Sequence, residues 1–181
     1  MLNNYKIWVE EGYTVEAGEQ EAFAATEYDG ARLDAGRVVG FEEMKRVAAD
    51  SNKEGREGVQ ILDARSAGRW KGSDPEPRPG LSSGHMPGSI NVPVPELLDA
   101  TTKAFLPAAE LRRIFEGKGV DASRPVISSC GTGVTAAVID AALTEAGFGQ
   151  DKDRRIYDGS WTEWAQRVTA TENLIVKSEG N

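Results

Sequence analysis

Pro125-Val126-Ile127-Ser128-Ser129-Cys130-Gly131-Thr132-Gly133-Val134-Thr135-Ala136-Ala137-Val138 is the stretch on which the fold turns. Val126 and Ile127 open a short apolar run after a proline, which predicts a strand over Pro125–Ser128. Gly131 and Gly133 then let the chain curl back. From Thr135 an alanine-rich run predicts a helix to Ala146, stopped by Gly147. Strand, tight glycine loop and helix in that order make the first half of a βαβ unit.

The same alternation extends in both directions. Toward the C-terminus, Arg155-Ile156-Tyr157 reads as a strand and Trp161–Val168 as a helix, followed by a polar, loose tail over 171–181. Toward the N-terminus, Pro107 opens a helix to Glu116 with Leu111, Ile114 and Phe115 on one face. Ile90-Asn91-Val92 and Val59-Gln60-Ile61-Leu62 read as strands, with a helical turn in 64–71, a glycine- and proline-rich loop from Gly72 to Gly84, and a turn over Pro95–Leu98. Val38-Val39 predicts a short strand, and Phe41, Met44, Val47 and Ala48 give helical spacing up to Asp50, before a polar loop from Ser51 to Gly58. The expectation is an α/β fold, with a mainly parallel central sheet of about five strands and helices on both faces. Ligands of such sheets sit beyond the carboxyl ends of the strands, after Leu62, Val92, Ser129 and Tyr157.

Residues 37–170 form the domain on this reading, and 13–36 a linker or wrap. Leu2–Glu11 reads as a helix ending at Gly12. Its Tyr5-x-x-Trp8 matches Trp161-x-x-Trp164. Two aromatics at that spacing are common packing, and the sharper alternative makes 1–12 the last helix of a preceding, similar domain.

Composition narrows the function. The chain has 181 residues, 21 Lys plus Arg against 29 Asp plus Glu, and a net charge of −8, which argues against broad nucleic-acid binding. With 1 Cys and 1 His there is no disulfide framework or CxxC site, and a structural zinc is disfavoured. A lone thiol suits a reducing compartment. The longest uncharged run, Pro125 to Ile139, is too short and polar for a bilayer span, and Met1–Lys6 resembles neither a secretory signal nor a transit peptide.

Cys130 lies directly after a strand and just before a helix, on a turn whose successive N–H groups can converge. The helix N-terminus adds about half a positive charge. Both favour a thiolate and an anion beside it. The alternative is an inert, buried thiol, a reading better suited to a cysteine within a strand. A cysteine phosphatase needs an arginine where this chain has Ala136. A cysteine protease needs a base, and His85, in Gly84-His85-Met86-Pro87-Gly88, sits at a turn where a loop-tethering role fits better. Attack on sulfur needs no strong base once the thiol is acidic, so thiol–persulfide exchange fits the loop best.

Cys130-Gly131-Thr132-Gly133-Val134-Thr135 resembles the active-site loop of 3-mercaptopyruvate sulfurtransferases of the rhodanese superfamily. Leu62-Asp63-Ala64-Arg65 with Gly68-Arg69-Trp70 is similar to the family's substrate-arginine segment. Asp74-Pro75-Glu76-Pro77-Arg78 with Gly84–Asn91 is similar to its next loop, and Tyr157-Asp158-Gly159-Ser160-Trp161-Thr162-Glu163-Trp164 to its final strand and helix. The resemblance implies a rhodanese-like fold with Cys130 and Thr132 in catalysis. It also implies that Arg69 and Arg78 hold the substrate carboxylate, with Gly131, Gly133, Val134 and Thr135 in the substrate loop. Two arginines offer planar forks suited to a carboxylate and a keto oxygen, although an isolated arginine is by default a solvated charge. Arg65 is expected to pair with Asp63, Glu76 to orient Arg78, and Trp70 and Trp161 to pack in the core or wall the pocket.

On that resemblance sulfur passes from 3-mercaptopyruvate through a Cys130 persulfide to a thiol such as thioredoxin or to cyanide, releasing pyruvate without metal or cofactor. The setting is cytoplasmic or mitochondrial. Thiosulfate-preferring relatives carry basic residues after the cysteine, where this chain has Gly131 and Thr132. Family members usually pair two such domains, with acid/base residues in the first. That implies a missing N-terminal partner or a homodimer. The remaining alternatives are a thiosulfate sulfurtransferase, a persulfide-relay module feeding for example tRNA thiolation without binding nucleic acid itself, and a domain kept only for packing.

Overall fold

Five parallel strands, β1 (Val38–Val39), β2 (Gln60–Asp63), β3 (Ile90–Asn91), β4 (Val126–Ser129) and β5 (Arg154–Tyr157), form one sheet in the order β1-β5-β4-β2-β3. The structure, a computed structural model, describes residues 4–19, 22–27, 29–30, 32, 34–50 and 58–178. The polar loop expected over 51–58 lies, but for Gly58, outside the described residues, as do the first residues of the expected N-terminal helix and the end of the tail.

β4 sits at the centre of the sheet, and all four of its residues are buried. Register pairs Ile61 with Ile127 and Leu62 with Ser128. Side chains of a strand alternate between faces. Leu62 and Val126 therefore join one core with α4 (Ala108–Gly117) and α5 (Ala136–Glu145), through Leu111, Phe115, Ile139 and Leu143. Ile61, Ile127 and Tyr157 join the other core with α2 (Phe41–Asp50) and α6 (Ser160–Arg167), through Phe41, Met44, Trp161 and Trp164. Each fully buried side chain of this size stabilises the fold by about 1.5–3 kcal/mol. The expected α/β architecture, with parallel strands covered on both faces, is the one observed.

α3 (Ala67–Lys71) follows β2 and ends at Gly72, whose φ of +89° makes the left-handed cap. α1 (Tyr5–Glu10) is capped by Asn4, which accepts the Ile7 N–H at 3.1 Å and donates to the Thr102 carbonyl at 2.6 Å. The described residues between 13 and 34 are exposed and form no helix or strand. No helix among the described residues is long and apolar enough to cross a membrane.

The tail corrects the expectation of a loose segment. Leu174 is buried, its carbonyl accepts the Trp164 Nε1–H at 2.9 Å, and Val176 pairs antiparallel with His85. Three successive apolar residues, Leu174-Ile175-Val176, give the chain a reason to return to the core.

Candidate active site

β4 ends at Ser129 and α5 begins at Ala136, so Cys130–Thr135 form the connecting turn. Two of its amides face the sulfur. The Thr132 N–H donates to Cys130 Sγ at 3.4 Å and the Gly133 N–H at 3.1 Å. The start of α6 takes the opposite, carbonyl side of the turn. Trp161 N–H donates to the Cys130 carbonyl at 2.9 Å, and Thr162 donates to the Gly131 carbonyl from both its N–H, at 3.0 Å, and its hydroxyl, at 2.7 Å. With its carbonyls held outward, the turn presents its N–H groups inward.

Ser160 completes the backing. It is fully buried with φ +48°, a left-handed backbone seldom used by a residue with a side chain. Its Oγ accepts the Cys130 N–H at 3.0 Å and donates to the Tyr157 carbonyl at 2.8 Å. The sequence reading gave Ser160 and Thr162 no role. The available signal is their place after β5, the strand next to β4, at the carboxyl end of the sheet.

Burial raises the Cys130 thiol pKa, but the Thr135 hydroxyl and the amides of Thr132, Ala136 and Thr135 together outweigh it, and the pKa falls below the ordinary 9.0. Cys130 is 1% exposed and lines a cavity of about 420 Å³. The sulfur is thus reached through that cavity.

The cavity brings together Cys130, Gly131, Thr132, Thr135, Arg69 and Arg78. Arg69, on α3, directs Nε at 3.1 Å and Nη2 onto Glu76. Arg78 is exposed and donates from Nη1 to the Thr162 hydroxyl. Arg65, whose side chain is 1% exposed, reaches Asp63 Oδ2 at 2.6 Å, Glu76 Oε1 at 2.9 Å and the Gly84 carbonyl at 2.7 Å, over the Trp161 ring. Its pairing with Asp63 was expected. The expected Glu76–Arg78 contact is replaced: Glu76 holds Arg65 and Arg69, because its carboxylate points into the protein while Arg78 leans toward α6.

Two loop residues fall outside the cavity wall. Gly133 serves the sulfur through its N–H, and Val134, expected in the substrate loop, is 74% exposed and does not line the cavity. His85 lies elsewhere, stacked on Trp70 with ring centroids 3.9 Å apart and Nδ1 at 2.8 Å from the Trp70 carbonyl. Burial holds its imidazole below its usual pKa. It tethers the loop, as its turn position suggested. Trp161 is a core residue, bonded through Nε1 to the Ser82 carbonyl.

A family model described as the rhodanese-like domain matches residues 47–167. A probable 3-mercaptopyruvate sulfurtransferase of Schizosaccharomyces pombe is 40% identical over 174 residues, covering 96% of this chain and 56% of that protein. The 3-mercaptopyruvate sulfurtransferase of Homo sapiens is 34% identical over 173 residues, covering 96% and 54%. The crystal structure of Tum1 protein from Saccharomyces cerevisiae superposes with a TM-score of 0.80 at 32% identity, covering 99% of this chain and 60% of that one. The chain thus spans little more than half the length of the curated relatives it matches.

Proposed function

The chain belongs to the family of rhodanese-like domains, and on that premise we propose that it transfers sulfur from 3-mercaptopyruvate through a persulfide on Cys130. One observation carries the reading. The sulfur accepts hydrogen bonds from the Thr132 and Gly133 amides, and the Thr135 hydroxyl with loop amides holds its pKa down, in a cavity whose wall bears Arg69 and Arg78. Relatives named for this activity support the choice of substrate.

Arg69 and Arg78 bind the carboxylate, and the Thr132 hydroxyl donates to the keto oxygen. The Cys130 thiolate attacks the substrate sulfur. A sulfur–sulfur bond forms, the carbon–sulfur bond breaks, and its electron pair becomes the enolate of pyruvate, which takes a proton from solvent. The loop amides stabilise charge on both sulfurs. An acceptor thiolate, of a thioredoxin-like protein or a small thiol, then attacks the outer sulfur and regenerates the Cys130 thiolate, a ping-pong cycle. The work is done in a reducing setting, cytoplasmic or mitochondrial. We assign the exposed face of α1, with Tyr5 and Val9, to a preceding rhodanese-like domain or a second copy.

Mercaptopyruvate should release pyruvate and add the mass of one sulfur atom to Cys130, read by mass spectrometry. A Cys130→Ser protein that releases pyruvate as fast as wild type overturns the assignment.

A further inference from the structure

Among the residues lining the cavity, Glu76 is the one carboxylate, and the cycle above gives it no step. Its side chain is 3% exposed. It accepts from Arg65 Nη1 at 2.9 Å, from Arg69 Nε at 3.1 Å and from Arg69 Nη2. Arg65 is itself anchored by Asp63, whose side chain is 2% exposed. Asp63, Arg65, Glu76 and Arg69 thus form a ladder of alternating charge, buried as far as Glu76, that runs from the end of β2 to the partly exposed Arg69 at the cavity wall. Counting Arg78, three guanidiniums stand against two carboxylates. The Cys130 sulfur aside, these side chains leave the site a single net positive charge, and Arg78, bonded to the neutral Thr162 hydroxyl, is its freest carrier.

We propose that Glu76 is a positioning residue that sets donor specificity by charge. It occupies one edge of Arg69, so that the remaining edge faces the cavity. It also holds the side chains around the Cys130 sulfur at one positive charge, which matches a sulfur donor with one carboxylate and leaves the second charge of a dianion such as thiosulfate without a cationic partner. An unpaired charge away from water is costly. The inference rests on the sulfur-transfer reading for its substrate, but its charge argument concerns anion binding alone.

The test compares kcat/KM for thiosulfate and mercaptopyruvate in wild type, Glu76→Gln and Glu76→Asp. Sulfate and pyruvate binding is titrated in parallel in a Cys130→Ser background. Glu76→Gln should move the thiosulfate-to-mercaptopyruvate ratio upward by about tenfold, mostly through KM, and tighten sulfate relative to pyruvate to a similar degree. Glu76→Asp, which keeps the charge, should hold the wild-type ratio. Equal losses for both donors, or an unchanged sulfate-to-pyruvate ratio in Glu76→Gln, would overturn the proposal. If Glu76→Gln does not fold, Arg78→Gln on the exposed arm takes the site to neutrality. It must weaken sulfate more than pyruvate, and equal weakening sinks the idea. A wild type without mercaptopyruvate turnover defeats the activity reading, while the sulfate and pyruvate titrations still decide the role of Glu76.

Discussion

Gly133 places its N–H 3.1 Å from the sulfur of Cys130, and the absence of a side chain is what allows it. Its φ is +87°, and a Cβ built there would lie 2.6 Å from the Asp158 carbonyl oxygen. Gly133→Ala therefore has to displace the loop from β5's end or rotate the amide away from the sulfur. Loss of one preorganised donor of this kind costs about 10²–10³ in rate. Pyruvate release should fall by about that factor. The Cys130 pKa should rise with it, since a donor to the thiolate is gone. An alanine variant with wild-type turnover would show that the amide is not aimed at the reacting sulfur.

Thr135 supplies the largest single lowering of the Cys130 pKa, against the larger opposing effect of burial. Thr135→Val keeps the shape and removes the hydroxyl. The pH at which Cys130 is half-alkylated by iodoacetamide should be below 9.0 in wild type and shift upward in the variant. Linkage gives the stability counterpart. A thiol with a depressed folded pKa contributes nothing below that value. Its contribution grows as pH rises toward the unfolded value and is lost again as pH falls through the folded pKa. Urea titrations across that window should show wild type gaining on Cys130→Ala as pH rises. A flat difference would mean the two states share one pKa.

Arg69 and Arg78 face the same cavity but differ in what else they hold. Arg78→Ala removes an exposed arm bonded to the Thr162 hydroxyl, so KM for mercaptopyruvate should rise about tenfold or more with little change in Tm. Arg69→Ala also strips two hydrogen bonds from the nearly buried Glu76 carboxylate. Leaving a buried charged group short of partners costs about 1–3 kcal/mol or more, and 1 kcal/mol is worth about 2–4 °C in a chain of this size. Thermal unfolding should separate the two variants. Equal melting points would mean that Arg65 alone satisfies Glu76.

The backbone order was legible because its signals are local. Val126-Ile127 before Gly131 and Gly133, and the helical spacing of Phe41, Met44 and Ala48, each report within a few residues which way the chain turns. The partners of the charged loops were not. Glu76 stands two residues from Arg78, seven from Arg69 and eleven from Arg65 in sequence, and proximity favoured the wrong arginine. The outcome depends on how the loop from Gly72 to Gly84 folds over β2, which burial of Arg65 beneath Glu76 and above Trp161 decides. Ser160 and Thr162 were invisible as loop clamps for a similar reason. Their bonds to Cys130 and Gly131 span about 30 residues and exist only once β5 lies beside β4.

The return of the tail is the remaining departure from a local reading, and it has a measurable weight. Leu174 is 6% exposed, its carbonyl satisfies Trp164 Nε1, and Val176 exchanges backbone hydrogen bonds with His85 at 2.8 and 2.9 Å. Gly84 lies so close beneath that a Cβ would come within 2.6 Å of the Val176 carbonyl oxygen. Ending the chain after Asn173 strands the buried indole N–H of Trp164 and removes a buried leucine, effects of about 1–3 and 1.5–3 kcal/mol. Such a chain should melt several degrees lower. Its tryptophan emission should shift to the red as water reaches Trp164. Because His85 loses its backbone partner, the loop carrying Glu76 and Arg78 should also become more sensitive to proteolysis. An unchanged melting point would mean that the segment rests on the surface without contributing to the fold, and the hydrogen bonds drawn to it would carry no net stability.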